Sequence, residues 1–217
     1  MRKTLMLALV TLAGCQSPYL SMMEKAGIPK REILAHRVED ARDAQIKARY
    51  QFNRTLDHYR QVETLNGPDL QAAVNDLQRD YQASEKAAAA VEPRVDQVEA
   101  VAQALFDEWE GELKDYQTPA LRQASAQQLE ATRAQYQDLI AKMRSAQSHV
   151  LPALEALNDQ LLFYRHQANA RTIGRLDAGY STVSGNVQPL LTDMQRSIEG
   201  AEGLIQRLNG QPLDGQP

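Results

Sequence analysis

The sequence predicts an all-α protein, an elongated antiparallel helical bundle or coiled coil of about four long helices. The first observation is composition: 43% of the 217 residues are hydrophobic, 24% are charged and only 6% are aromatic, which is typical of long helices and coiled coils. The second is a long apolar stripe between residues 70 and 116. The third is a small set of Gly and Pro stops that divide the chain into a few long segments.

The stripe of the second helix is the clearest of these signals. Apolar or small residues recur in steps of mostly four and three, which is the period of a seam between packed helices. They are Leu70, Val74, Leu77, Tyr81, Ser84, Ala88, Val91, Val95, Val98, Ala102, Leu105, Trp109, Leu113 and Tyr116. Such a helix would be roughly 70 Å long at about 1.5 Å per residue, so it needs partner helices. Pro93 does not shift the phase of the stripe, which predicts a kinked but continuous helix.

The N-terminal segment predicts export and lipidation. Arg2 and Lys3 precede an apolar run, Leu5 to Leu12, that is too short to span a bilayer. The run ends in Leu12-Ala13-Gly14-Cys15, which resembles the bacterial lipobox, where the signal is cut before a cysteine that then takes a diacylglycerol. Residues 1–14 are therefore expected to be a lipoprotein signal peptide. The alternative is an ordinary signal peptide followed by a chance cysteine.

Cys15 is thus the predicted lipidation site. Several acyl chains make such an anchor stable, because one chain alone binds a membrane only marginally. By resemblance to lipoprotein sorting in two-membrane bacteria, Gln16 in place of aspartate favours the outer membrane, with the protein anchored on its periplasmic face. Cys15 is the only cysteine, so the chain contains no disulfide framework. A net charge of −4 without a basic stripe argues against nucleic acid as a partner.

The rest of the chain divides into three parts: a lipidated tether over 15–28, a helical bundle domain over 29–208 and a disordered tail over 209–217. Pro29 suits the first turn of the first helix, which is expected to run to about Leu65. Asn66-Gly67-Pro68-Asp69 then stops it and caps the second helix.

The third helix is expected to begin at Thr118-Pro119, with Leu121 as the first residue of its apolar stripe and a kink at Pro152. The fourth helix carries a stripe that ends at Leu208. Length matching alone places the turn between these two helices near His166 to Asn169.

The richest cluster of functional groups surrounds the single tryptophan. Asp107, Glu108, Glu110 and Glu112 flank Trp109 near the end of the second helix. Carboxylates near a helix C-terminus oppose the helix macrodipole, so positive groups are expected to offset them. One interpretation is a site for a basic partner or a divalent cation. The other is a solvated acidic face around a tryptophan that anchors the core, and a straight helix cannot supply the six or more converging oxygens of a Ca²⁺ site.

No catalytic, metal or cofactor site is predicted. The four histidines lie apart from one another and from the cysteine, without the spacing of a zinc site. No serine lies in a nucleophile elbow, and no glycine-rich phosphate loop follows a strand. The tyrosines, among them Tyr50 and Tyr59, mostly fall on the stripes and are expected to be core residues with the hydroxyl at the rim.

Three runs of sequence resemble a known bacterial family. They are Met23–Leu34 (MEKAGIPKREIL), Arg37–Gln45 (RVEDARDAQ) and Ala104–Glu110 (ALFDEWE). The chain resembles periplasmic helical lipoproteins catalogued only as a domain of unknown function, usually a lipobox followed by one long helical domain. The resemblance covers essentially the whole mature chain. It implies a lipoprotein with a single helical domain and brings no activity with it.

Together these observations predict a membrane-anchored periplasmic lipoprotein that acts as a non-enzymatic helical adaptor or spacer for envelope protein interactions. The alternative is a binding module that holds a lipid or hydrophobic ligand in a groove between helices. The expected partners are the membrane, through the lipid anchor, and an envelope protein. The oligomeric state stays open.

Overall fold

The structure is a computed structural model that describes residue 23 and residues 27–63, 65, 67–170 and 179–210. Its helices are α1 (Lys30–Val62), α2 (Gly67–Ala89), α3 (Glu92–Glu112), α4 (Pro119–Ser148), α5 (Val150–Ala170) and α6 (Gly179–Gly210). These described ranges contain no strand, and the predicted all-α class is confirmed. Among the same residues, no helix combines the length and the apolar character needed to cross a membrane.

Two pairs of helices join end to end, so that four rods build the bundle: α1, α2–α3, α4–α5 and α6. The first rod packs against the second on one side and against α6 on the other, and the third rod packs against the second and against α6. Consecutive rods run antiparallel. At one end of the bundle the Tyr180 N–H donates to the Glu63 carboxylate at 2.9 Å, and at the other Lys30 Nζ lies 3.0 Å from Glu108 Oε2.

The second rod bends at Ala90 and Val91, two to three residues before Pro93, and the helix that was predicted to be continuous is divided there. Pro93 occupies the first turn of α3, where its missing N–H costs no hydrogen bond. Val91 keeps a helical backbone (φ −79°, ψ −48°), and its N–H donates to the Ala88 carbonyl at 3.1 Å in a tightened turn. Because no residue is inserted, the apolar stripe stays in phase and Ala88, Val91 and Val95 are all buried.

The third rod bends three residues before its predicted position. The junction between α4 and α5 is His149 (φ −90°, ψ −6°), not Pro152. Proline cannot donate a hydrogen bond to the residue four positions earlier, and its ring crowds that carbonyl. The distortion therefore falls in the turn before Pro152 rather than at the proline itself.

The core is the seam where the four apolar stripes meet. Residues spaced by three and four along α1 are all buried: Leu34, Val38, Ala41, Gln45, Ala48, Phe52, Leu56, Tyr59 and Val62. Two side chains that were expected in the core are exposed instead. Tyr50 is 69% exposed because it lies between two stripe positions, and Leu121 is 57% exposed in the first turn of α4.

Three helix ends differ from their predicted positions. α1 ends at Val62 rather than near Leu65, and α6 reaches Gly210, inside the predicted tail. α5 continues through His166 to Asn169, where the turn was placed, as far as Ala170. No Gly or Pro interrupts that stretch, so nothing in its local sequence ends the helix. The predicted signal peptide (residues 1–14), the predicted lipidation site Cys15 and residues 211–217 lie outside the described residues.

Candidate functional site

The acidic cluster around Trp109 lies at an end of the bundle where three helix termini meet. α3 ends there at Glu112. α1 begins there after Pro29, whose backbone is extended (φ −64°, ψ 143°), and α4 begins after Thr118, which is also extended (φ −88°, ψ 114°). We call this end, defined by Lys30, Glu112 and Pro119, the N-terminal end of the bundle. It brings together side chains that are far apart in the sequence.

Trp109 ties α3 to α4 at this end. Its ring is partly buried and packs against the hydrophobic core. The indole Nε1 donates to Ser125 Oγ at 2.8 Å, and Ser125 is itself buried on α4. A buried indole N–H usually finds such an acceptor, and here the acceptor fixes the orientation of the ring.

Two carboxylates of the cluster pair with cations from neighbouring helices. Glu108 Oε2 lies 3.0 Å from Lys30 Nζ, and the Lys30 side chain is only 6% exposed. Glu110 Oε1 accepts a hydrogen bond of 2.5 Å from Arg133 Nη2. The Arg133 guanidinium also lies 5.2 Å from the centroid of the Phe106 ring, a cation–π arrangement. These pairs hold α1 and α4 against α3.

The other two carboxylates lie on the exposed face of α3. Asp107 Oδ1 accepts a hydrogen bond of 2.7 Å from Gln103 Nε2 on the same helix. The pKa of Glu112 is raised by partial burial of the Glu112 carboxyl group and by the negative charges of Glu108 and Asp115. The positive charge of Lys30 acts in the opposite direction. A positive charge placed beside Glu112 would oppose this rise in its pKa, as Lys30 already does.

Sequence reasoning did not identify Lys30, Arg133 or Ser125 as members of this cluster. The sequence did indicate that cations lie near the cluster, because carboxylates that oppose a helix macrodipole are expected to be offset by positive groups. Their identity depends on how the helices align with one another, which the spacing along one helix does not give. In the described part of the chain, no group of three or more His, Cys, Asp or Glu side chains is arranged to hold a metal ion. Cys15 is not among the described residues.

A second concave surface lies between α5 and α6. It is an open groove of about 440 Å³, lined by Pro152, Glu155, Ala156, Asp159, Gln160 and Phe163 of α5 and by Gly179, Thr182 and Asn186 of α6. The aromatic ring of Phe163 and the carboxylates of Glu155 and Asp159 make this lining amphipathic.

Replacing Glu108 with glutamine is expected to lower the free energy of unfolding by about 1–2 kcal/mol, because the buried Lys30 ammonium loses its ion pair with Glu108. Asp107→Asn is the matched control. Its carboxylate lies on the exposed face of the same turn, and we expect a change within about 0.5 kcal/mol. Urea unfolding followed by circular dichroism measures both. Equal changes in the two variants would contradict a structural role for the Lys30–Glu108 pair.

Comparison with known proteins places this architecture in a family. Residues 19–208 match the family described as Protein of unknown function (DUF2959). The match includes α1 to α5, nearly all of α6 and the whole cluster around Trp109. No curated protein matches the sequence.

Proposed function

We propose that this chain, which belongs to the DUF2959 family of proteins of unknown function, is a lipid-anchored periplasmic protein that acts as a non-enzymatic helical adaptor or spacer. The observation that carries the proposal is the position of Leu12-Ala13-Gly14-Cys15 shortly before a rod-like bundle that begins at Lys30. An acylated cysteine at this point would attach the bundle to the membrane by its N-terminal end.

The four rods give the stiffness that a spacer needs. α1 alone contains 33 residues, which corresponds to about 50 Å of helix. Side-chain contacts join the rods along this length. Between the pair at Lys30 and the contact at Tyr180, Arg144 of α4 binds Glu99 at 2.6 Å and Asp96 at 2.8 Å on α3. Such contacts, repeated along the bundle axis, favour a rigid bundle.

Exposed apolar side chains along the rods offer places for a partner protein. Tyr50 on α1 is 69% exposed and Leu151 on α5 is 63% exposed. Tyrosine is enriched at protein interfaces because one side chain supplies a large contact area and a hydrogen-bonding group. An envelope protein that touches the side of the bundle would contact residues of this kind.

Labelled palmitate tests the anchor directly. The wild type should incorporate the label and fractionate with the outer membrane, and Cys15→Ala should lose both properties while its helical circular dichroism is unchanged. Ser17→Ala is the matched control and should keep the label. A photo-crosslinking residue placed at Tyr50 or Leu151 of the labelled protein should capture a discrete envelope protein in cells. Incorporation of palmitate into the Cys15→Ala variant would contradict the anchor. If neither crosslinking position captured an envelope protein, that result would contradict the adaptor role.

The groove between α5 and α6 favours a second candidate function. Its volume of about 440 Å³ lies in the range of small-molecule sites, so the bundle could hold a hydrophobic ligand there. The ligand would need a polar or positively charged group beside Glu155 and Asp159. Native mass spectrometry of the purified protein would detect such a ligand as an added mass, and its absence would count against this function.

A further inference from the structure

At the N-terminal end of the bundle, α4 extends past the last described residue of its neighbour α6. Ser145 of α4 donates to Asp193 of α6 at 2.5 Å, and Gln135 accepts a hydrogen bond from Arg207. These two contacts show that α4 and α6 run antiparallel. Gly210, the last residue of α6, follows Arg207 by about one turn. It therefore lies opposite the part of α4 about one turn before Gln135. Residues 119–129 of α4, about 16 Å of helix at about 1.5 Å per residue, extend beyond that level.

We call residues 119–129 the overhang. Its only charged residue is Arg122, and it contains no carboxylate. Leu121 is 57% exposed although it follows the spacing of the apolar stripe. Arg122 is also exposed, and its Nη2 donates to the Tyr116 carbonyl at 2.7 Å, which holds the guanidinium at this end. The overhang thus presents one large apolar side chain beside one fixed positive charge.

The chain enters the bundle at the same end. Met23 and Ile28 are partly buried and pack against the core, and the Ile28 N–H donates to the Met23 carbonyl at 3.1 Å. Gly27, with a φ of 77°, makes the turn between them in a conformation that glycine adopts without strain. The chain from Cys15 to Met23 can span about 28 Å at most, its fully extended length. The expected tether over residues 15–28 is shortened by this packing.

We propose that the overhang is a membrane-facing surface, in which Leu121 and Arg122 contact the phospholipid headgroup layer. The proposal rests on the lipid anchor proposed above, because an acylated Cys15 would hold this end of the bundle within reach of the bilayer. An exposed leucine can enter the interfacial layer, and a guanidinium matches the geometry of a phosphate. Glu112 and Asp115, the nearby carboxylates, lie on α3 and on its connection to α4, outside the overhang.

Depth-dependent fluorescence quenching tests this surface. Cys15 carries a thioether in the lipidated protein, so Leu121→Cys supplies a single free thiol for a fluorophore. The lipidated full-length chain is reconstituted into phosphatidylethanolamine–phosphatidylglycerol vesicles that contain a nitroxide on the lipid headgroup. We expect loss of most of the fluorescence at position 121. Leu151→Cys, an equally exposed leucine on α5, is the matched control and should lose little.

The outcomes separate the proposal from the anchor on which it depends. Equal quenching at positions 121 and 151, with the protein still on the vesicles, would overturn the membrane-facing surface and leave the anchor intact. Failure to sediment with vesicles would overturn both. A third outcome is that the fluorophore at position 121 is shielded from a water-soluble quencher but is not quenched by the nitroxide lipid. This result would indicate that protein rather than lipid covers position 121, and it would also overturn the proposal. Ala124→Cys, another exposed position of the overhang, repeats the measurement if Leu121→Cys folds poorly.

Discussion

Replacing Tyr59 with alanine is expected to lower the free energy of unfolding by about 3–5 kcal/mol. The Tyr59 side chain is fully buried, and its ring centroid lies 6.3 Å from that of Tyr164. Its hydroxyl donates to the Leu157 carbonyl at 2.5 Å, so the residue joins the last turn of α1 to α5 through the buried core. Burial, reinforced by the nearby Tyr164, raises the pKa of Tyr59, and the hydroxyl remains a donor at neutral pH. Truncation to alanine would leave a cavity in the core. The packed helices could close this cavity only by shifting relative to one another.

Two further variants separate the contributions to that loss. Tyr50→Ala, on the exposed face of the same helix, should change the free energy of unfolding by no more than about 0.5 kcal/mol. Tyr59→Phe keeps the ring and removes only the hydroxyl, so it should cost about 1 kcal/mol. Urea unfolding followed by circular dichroism provides all three values. Similar losses for Tyr50→Ala and Tyr59→Ala would contradict the assignment of Tyr59 to the buried core.

The spacing of apolar residues was sufficient to predict the architecture. A stripe with steps of three and four faces one side of a helix, and a side chain on that face must be buried against a partner. The unbroken phase across Pro93 likewise predicted a bend rather than a loop, although the helix does not continue through the bend but is divided at Ala90 and Val91. Such inferences succeed where local geometry alone decides the result.

The boundaries were less predictable because several of them depend on the neighbouring helices. Leu121 follows the spacing of the stripe, yet α4 extends past α6 at that level and the side chain remains exposed. The turn placed at His166 to Asn169 rested on matching helix lengths, and the helix continues there because no local residue ends it. A stripe predicts which face of a helix is apolar, but it does not predict how far the partner helix extends along that face.

The candidate site shows the same division between local and interhelical information. Glu108 and Glu110 could be identified from the sequence as charges that oppose the macrodipole of their helix. Their partners, Lys30 and Arg133, belong to other helices, and only the interhelical register places those cations within hydrogen-bonding distance. The register follows from the packing of the whole seam rather than from any short motif.

Replacing Gln45 with methionine is expected to raise the free energy of unfolding by about 1–3 kcal/mol. Gln45 follows the spacing of the stripe and is 0% exposed. Neither its amide nitrogen nor its amide oxygen has a hydrogen-bond partner within the described part of the chain. Methionine has a similar length and no amide to desolvate. Ala41 and Ala48, one turn away on either side of the same face, leave space for an unbranched side chain.

Gln188→Met provides the matched control for this gain. Gln188 is exposed on α6, so the same substitution there should change the free energy of unfolding by no more than about 0.5 kcal/mol. Thermal and urea unfolding would measure both variants. A loss of stability in Gln45→Met would show that the amide makes hydrogen bonds in solution, and that result would contradict the prediction.

If Gln45 lowers the free energy of unfolding, its presence in the buried seam requires an explanation other than stability. In coiled coils a single polar side chain at a core position fixes the register and the number of chains, at a cost in stability. Ser197 of α6 is likewise fully buried, and its hydroxyl has no hydrogen-bond partner among the described residues, so Gln45 is not an isolated case. If Gln45 fixes the register here, the methionine variant should be more stable but less uniform, with additional species in sedimentation velocity. A single species identical to the wild type would restrict the effect of Gln45 to stability.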